Sequence, residues 1–175
     1  IPNALAKESP MTFYWSSSPS SFGNFAYPDD ENHGDTHYWG TWHDQKSIED
    51  FRQHYFRFLT EFGFQSYPDL KTLRAFTRRD DRNLFSKIMD QHQKDLHGNN
   101  KMMFYISEQF LFPKDFESGV YLSQIMQAEN VRESMEHLRR NRGRCMGAIY
   151  WQINDCWPVA SWASIDSQGR WKALQ

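Results

Sequence analysis

Cys145-Met-Gly-Ala-Ile-Tyr-Trp151 is a short run without a single charged side chain. Its apolar character is nearly continuous rather than alternating, which suits a strand buried on both faces, as in a parallel sheet. A long helical pattern precedes it over residues 120–141. Tyr121, Ile125, Ala128, Val131 or Arg132, Met135 and Leu138 form the stripe, and Gly143 supplies the stop. Further upstream, Asn83 begins a pattern through Leu84, Ile88, His92 and Leu96 that His97-Gly-Asn-Asn100 ends, and Pro68-Asp69 opens a helix with Leu70, Leu73 and Phe76 on one face. Phe58, Leu59, Phe62 and Phe64 read as a second strand heading into a core. Ser47 is placed to cap another helix, with Asp50 at the capping-box position and Ile48, Phe51, Tyr55 and Phe58 at helical spacing. Met11-Thr-Phe-Tyr-Trp15 and residues 36–42 read as short strands, each joined to a polar loop. Short strands alternating with helices predict an α/β architecture.

A chain of 175 residues can bury one sizeable core. Its 14 Phe, 8 Tyr and 7 Trp exceed what a core calls for, and the surplus rings suit stacking on a flat ligand face, a sugar or a base. Twenty basic against 22 acidic residues leave a net charge of −2, which gives no electrostatic reason to expect nucleic acid or an anionic membrane as partner. The one basic run, Arg139-Arg-Asn-Arg-Gly-Arg144, falls where the long helix ends, and there it complements the helix dipole. Cys145 and Cys156 would stand roughly 36 Å apart if the run between them is extended, far beyond disulfide reach. That cysteine usage favours a reducing, cytoplasmic compartment. No signal peptide is visible, and no apolar run approaches the roughly 20 residues of a membrane span. A start at Ile1-Pro2 and an end at Ala173-Leu-Gln175 read as those of a piece of a longer protein.

Glu61 is the residue that asks for an explanation. It sits in an apolar, aromatic run, with Gly63 permitting a tight bend after it and no Lys or Arg within three residues. An ionised carboxylate there needs a partner, a raised pKa or a task. It is either a strand-end or backbone-satisfied glutamate, or a functional one. In parallel α/β barrels, functional side chains collect at the C-terminal ends of strands. The candidate strand ends here are Trp15 into Ser16, Gly34-Asp-Thr-His-Tyr-Trp-Gly-Thr-Trp-His43, Glu61, and Trp151-Gln-Ile-Asn-Asp-Cys-Trp-Pro158. All but one mix Trp with polar groups, as a sugar site requires: an indole face for the C–H surface, and amides, imidazoles and carboxylates for the hydroxyls. His33 and His37 have a zinc-like i, i+4 spacing with His43 close by, but Gly34 and Gly40 interrupt any helix, so no metal site is expected. A phosphate-cradling glycine loop and a Gly-x-Ser-x-Gly motif are both absent, and no cofactor is implied.

Four segments in order, Tyr14-Trp-Ser-Ser-Ser-Pro19, Gly34-Asp-Thr-His-Tyr-Trp39, Thr60-Glu-Phe-Gly-Phe-Gln-Ser66 and Gly147-Ala-Ile-Tyr-Trp-Gln-Ile-Asn-Asp-Cys-Trp-Pro158, resemble the catalytic barrel of glycoside hydrolase family 2, in its β-mannosidase branch. Ala160–Asp166 and Gly169–Ala173 match as well, and the resemblance weakens around residues 80–100. It implies a (β/α)8 TIM barrel of which this chain covers roughly strands 5 to 8. The first half and flanking β-sandwich domains would lie outside the 175 residues. It further implies that Glu61 is the catalytic nucleophile at the end of strand seven and that Trp151 lines the mannose subsite. His37 and Trp39 would lie near the nucleophile on strand six. Asn154 would bind substrate or shape its loop, and Trp15 would bind substrate or pack.

The family it resembles is retaining, with two carboxyl groups about 5 Å apart flanking the bond. The acid/base expected there is a Glu after an Asn, and this chain has no Asn-Glu step. The remainder of the same enzyme is therefore an expected partner. The uncovered sheet edges of a half barrel leave room for a homo-oligomer. A β-galactosidase, a β-glucuronidase and a non-catalytic carbohydrate-binding module are the alternatives.

Overall fold

The computed structural model describes residues 1–21 and 27–175. Nine elements follow one another among the described residues. Helix α1 (Pro2–Glu8) buries nothing, and β1 is Thr36–His37. Then come α2 (Ile48–Phe51), β2 (Leu59–Glu61), α3 (Leu70–Phe76), a 3₁₀ turn (Arg79–Asp81) and α4 (Lys87–Gln91). The two long helices α5 (Gly98–Gln109) and α6 (Phe116–Arg140) complete the set. Strands β1 and β2 are parallel, with Thr36 opposite Leu59, His37 opposite Glu61 and an irregularity between. The chain is thus mixed α/β around a small parallel sheet.

The run 145–151 lies beside β2 as a third parallel ribbon. Gly147 accepts from the Leu59 amide (3.0 Å), Ile149 donates to Leu59 (2.8 Å) and Trp151 donates to Phe62 (2.9 Å), although only Leu59 and Ala148 form a regular bridge. The expectation that both its faces are buried is corrected: Met146 and Ile149 are exposed. The ribbon borders the sheet, and no further strand lies on its outer side among the described residues.

The core is aromatic. Trp42, Phe51, Phe56, Phe62, Phe64, Tyr67 and Tyr105 are almost wholly buried together with Leu59, Leu73, Met102, Ile106 and Met126. Each such side chain contributes roughly 1.5–3 kcal/mol of hydrophobic stabilisation. Helix α6 packs on this core with a polar stripe. Its buried face carries Ser123, Gln127, Asn130, Ser134 and His137 beside Val120, Met126, Val131 and Leu138, whereas Tyr121, expected inside, is exposed. Beyond Glu61 the chain leaves the sheet ladder, and its backbone groups need partners. Gln127 Nε2 donates to the carbonyls of Phe64 (2.8 Å) and Trp162 (3.0 Å), its Oε1 accepts from Ser66 Oγ (2.7 Å), and Ser123 Oγ accepts from the Tyr67 amide (3.1 Å). The helix therefore stands in for a neighbouring strand.

Several expected boundaries move. Residues 11–15 form no strand; Phe13 is exposed, and no backbone ladder forms on either side of this segment among the described residues. The helix after Ser47 ends at Phe51, so Tyr55 and Phe58 lie outside it. The pattern 83–96 shortens to α4, leaving Leu96 exposed, and His97-Gly98 starts α5 instead of ending a helix. Helix α3 opens at Asp69 as expected, the Asp69 side chain accepting from the Lys71 amide at 2.7 Å, whereas Ser47, expected to cap α2, makes no side-chain cap bond.

Lys172 is a buried cation behind the sheet. Its Nζ donates to the carbonyls of Ser66 (3.1 Å) and Ser161 (3.2 Å). Burial pushes its pKa down to about 8, against the attraction of Asp155 and Asp166 and with the help of Lys94. The folded ammonium thus releases its proton while the unfolded one still holds it, so stability rises with pH from about 8 towards the unfolded value. The gain is about 2 kcal/mol between pH 8 and 10. Chemical denaturation across that range should show the rise in the native chain and not in Lys172→Met; parallel curves would refute the assignment.

Candidate active site

Glu61 ends β2, and β1 delivers the groups that meet it. His37 lies opposite Glu61 in the parallel register, and the Tyr38 amide donates to the Glu61 carbonyl at 2.9 Å. The turn after β1 then brings Trp39 over the acid. Oε2 of Glu61 accepts from Trp39 Nε1 at 3.2 Å and lies 3.3 Å from Nδ1 of His37. These two contacts answer the sequence's question about a partner, and the carboxyl stays about a quarter exposed, open to a ligand. The Trp39 ring is held in turn by Trp162, edge-on at 5.9 Å, and by His43 at 5.2 Å. Burial, then the charge of Lys101, holds the His43 pKa below its usual range, although Asp95 and Asp44 oppose this.

Asp35, which sequence reasoning passed over, organises the far side of His37. In an extended segment, residues two apart share a face, and Asp35 and His37 do so. The Asp35 carboxylate accepts from Ser18 Oγ (2.5 Å), Thr60 Oγ1 (2.7 Å), Trp15 Nε1 (2.7 Å) and the Ser20 amide (3.0 Å). Burial alone would raise its pKa, but these donors outweigh burial and hold it below the usual range. Ser18 Oγ also reaches Nε2 of His37 at 3.0 Å. Trp15 thereby takes a structural place: its indole lines an apolar cavity of about 450 Å³ with Phe13, Phe58 and Thr60. The alternation of Asp35 and His37 in Gly34-Asp-Thr-His was the signal available.

Trp151 and Asn154 lie on the adjoining ribbon and loop. Trp151 is 43% exposed, its amide bonded to Phe62, and its carbonyl fills the space where a Cβ on Gly63 would go. Asn154 is exposed: its Nδ2 donates to the Asp155 carbonyl (3.4 Å), its carbonyl accepts from Gln152 Nε2 (3.2 Å), its backbone bridges Ile165, and none of these bonds brings it to Glu61. Asp155 is the buried anchor of that loop, accepting from Ser161 Oγ (2.5 Å) and pairing with Lys94 (3.0 Å). Glu61, His37 and Trp39 are therefore brought together, Trp15 joins them through Asp35, and the Trp151 carbonyl lies against Gly63, two residues beyond the acid.

Among the described residues, no group of three or more His, Cys, Asp or Glu could hold a metal ion. His33 turns instead to Asp30, at 2.7 Å, and both cysteines are free thiols. No helix among the described residues is long and apolar enough to cross a membrane.

Fold and site together define an α/β protein that offers a carboxylate, an indole and an imidazole at the end of a parallel strand. Its relatives are β-mannosidases. The chain is 34% identical over 171 residues to β-mannosidase B of Aspergillus niger, and equally to that of Aspergillus terreus, covering 95% of this chain and 20% of each relative. The crystal structure of β-D-mannosidase from Dictyoglomus thermophilum matches with a TM-score of 0.91 at 34% identity, over 98% of this chain and 21% of that one. The chain thus spans about a fifth of the length of the relatives it matches. No protein-family model matches it.

Proposed function

We propose that this chain serves as the second half, strands 5 to 8, of the catalytic (β/α)8 barrel of a retaining β-mannosidase that removes terminal non-reducing β-D-mannose. The observation that carries the proposal is Glu61, at the C-terminal end of a parallel strand, with its Oε2 held by Trp39 and beside His37. The similarity to β-mannosidases over most of the chain supports the choice of sugar.

In this reading Glu61, ionised, attacks the anomeric carbon from the face opposite the leaving group. A second carboxylic acid protonates the departing oxygen, then as its conjugate base takes a proton from the water that cleaves the mannosyl ester. Trp39 Nε1–H keeps Oε2 oriented, so that the attacking carboxylate is placed before the sugar arrives. The exposed Trp151 indole offers its face to the C–H surface of the mannose ring. The second carboxyl is assigned to the part of the relatives that this chain does not cover. Glu31, the acid of the neighbouring loop, is already engaged by His54 and by the Tyr55 amide at 2.9 Å.

The test is covalent trapping. A fluorinated mannosyl inactivator, applied to an enzyme containing this sequence, should leave an ester on the peptide carrying Glu61. The 175-residue chain alone should neither be labelled nor hydrolyse an aryl β-mannoside. Sugar binding undiminished by Glu61→Gln, with no label, would make the chain a non-catalytic module, and turnover by the isolated chain at the parent's rate would overturn the division of the site.

A further inference from the structure

The carboxylate of Asp35 terminates a line of side chains that leads through Ser18 and His37 to Glu61. An ionised carboxylate only accepts hydrogen bonds, and a serine hydroxyl has one hydrogen to give. The 2.5 Å contact between Ser18 Oγ and Asp35 Oδ2 commits that hydrogen to Asp35. Towards Nε2 of His37, 3.0 Å away, Ser18 can then only accept, so Nε2 carries a hydrogen. On the other side of the ring, Nδ1 stands 3.3 Å from Oε2 of Glu61.

We propose that Asp35 is a positioning residue: acting through Ser18, it fixes a hydrogen on Nε2 of His37 and so sets the tautomer and orientation of the ring beside Glu61. The charged groups facing the ring are Glu61 and, behind Ser18, Asp35. The cavity of about 430 Å³ that His37 helps to wall also carries Asp29, Glu31, Asp44, Lys46, His43 and His54. The catalytic consequence rests on the reading of Glu61 as nucleophile: a ring held in one tautomer and one orientation keeps the surroundings of the attacking oxygen constant. The tautomer itself does not depend on that reading.

Asparagine at position 35 reverses the line without changing its shape. Trp15 Nε1–H and the Ser20 amide can only donate, so they claim the amide oxygen of the substituted side chain. Its NH₂ then faces Ser18 and Thr60, whose hydroxyls turn to accept. Ser18 is freed to donate to Nε2, and the ring's hydrogen moves to Nδ1. The parallel is the aspartate that fixes the histidine tautomer in serine proteases.

Long-range proton–nitrogen correlation NMR on the ¹⁵N-histidine-labelled protein at neutral pH reads this directly, with His37→Gln identifying the signals. The native ring should carry a hydrogen on Nε2, and Asp35→Asn should shift it to the Nδ1–H form. A bare Nε2 in the native protein, or the same pattern in both, overturns the proposal. Should Asp35→Asn fail to fold, Ser18→Ala, at an exposed side chain, removes the acceptor that holds this hydrogen: a shift of the ring's population towards Nδ1–H is expected, and an unchanged ring refutes the role. In an active enzyme containing this sequence, Asp35→Asn should also lower kcat more than it raises KM. A changed ring with an unchanged kcat would keep the tautomer and refute its catalytic consequence.

Discussion

Replacing Glu61 by alanine should lower turnover on the order of 10⁴-fold or more in a β-mannosidase containing this chain, the scale reached when a covalent nucleophile is lost. On the proposed reading the substitution removes the group that forms the ester and leaves Trp39, which reaches the same oxygen, in position. Azide fits the vacated volume and carries its own charge. It should attack the anomeric carbon from the same side while the second carboxylic acid still protonates the leaving oxygen. The product expected is the α-mannosyl azide, of inverted configuration, accumulating with added azide. Normal turnover in the variant, or rescue that yields free mannose alone, would remove Glu61 from the reaction.

Gly34→Ala should cost about 2–4 kcal/mol of stability, from backbone strain and overpacking together. Gly34 has φ +64, the left-handed region that a side chain disfavours, and a Cβ there would collide with the carbonyl oxygen of Ser20. That carbonyl accepts from the Asp35 amide at 3.1 Å, and the Ser20 amide returns bonds to the Asp35 carbonyl and carboxylate. Relief of the clash therefore moves Asp35, and with it the support of His37. A urea midpoint unchanged from the native chain would show that this bridge is soft.

What could be read in advance was local. Glu61 stood out as a lone acid in an apolar run, and α6 was legible because its stop at Gly143 and its length are properties of one segment. The start of α3 after Pro68-Asp69 was legible for the same reason. Helix α5 was hidden by its own start: Gly98, Asn99 and Asn100 are poor helix formers, and their place in α5 comes from packing, with Gly98 and Asn99 buried beside Gln93. The burial of α6's polar stripe was not legible because its partners, at Phe64, Ser66 and Tyr67, lie some sixty residues away. Asp35 escaped notice similarly. Its donors Trp15, Ser18 and Thr60 come from two distant segments, and no spacing rule joins them. Residues 145–151 carried the right neighbour and direction but the wrong burial, because an apolar composition does not say how many sides of a strand are covered.

The close approach of Gly63 to the Trp151 carbonyl couples two parts of the site that could otherwise drift apart. The amide of Trp151 is tied to Phe62, the residue directly after the acid, and the Gly63 backbone leaves no slack beneath it. The backbones that carry Glu61 and Trp151 are therefore set against each other when the chain folds. On the proposed reading of the site, the entropy of that alignment is lost once, during folding, and not again at each binding event. Such preorganisation would favour capture of one ring shape over adaptation to many, and would make position 63 a lever on selectivity although its residue has no side chain to offer a ligand.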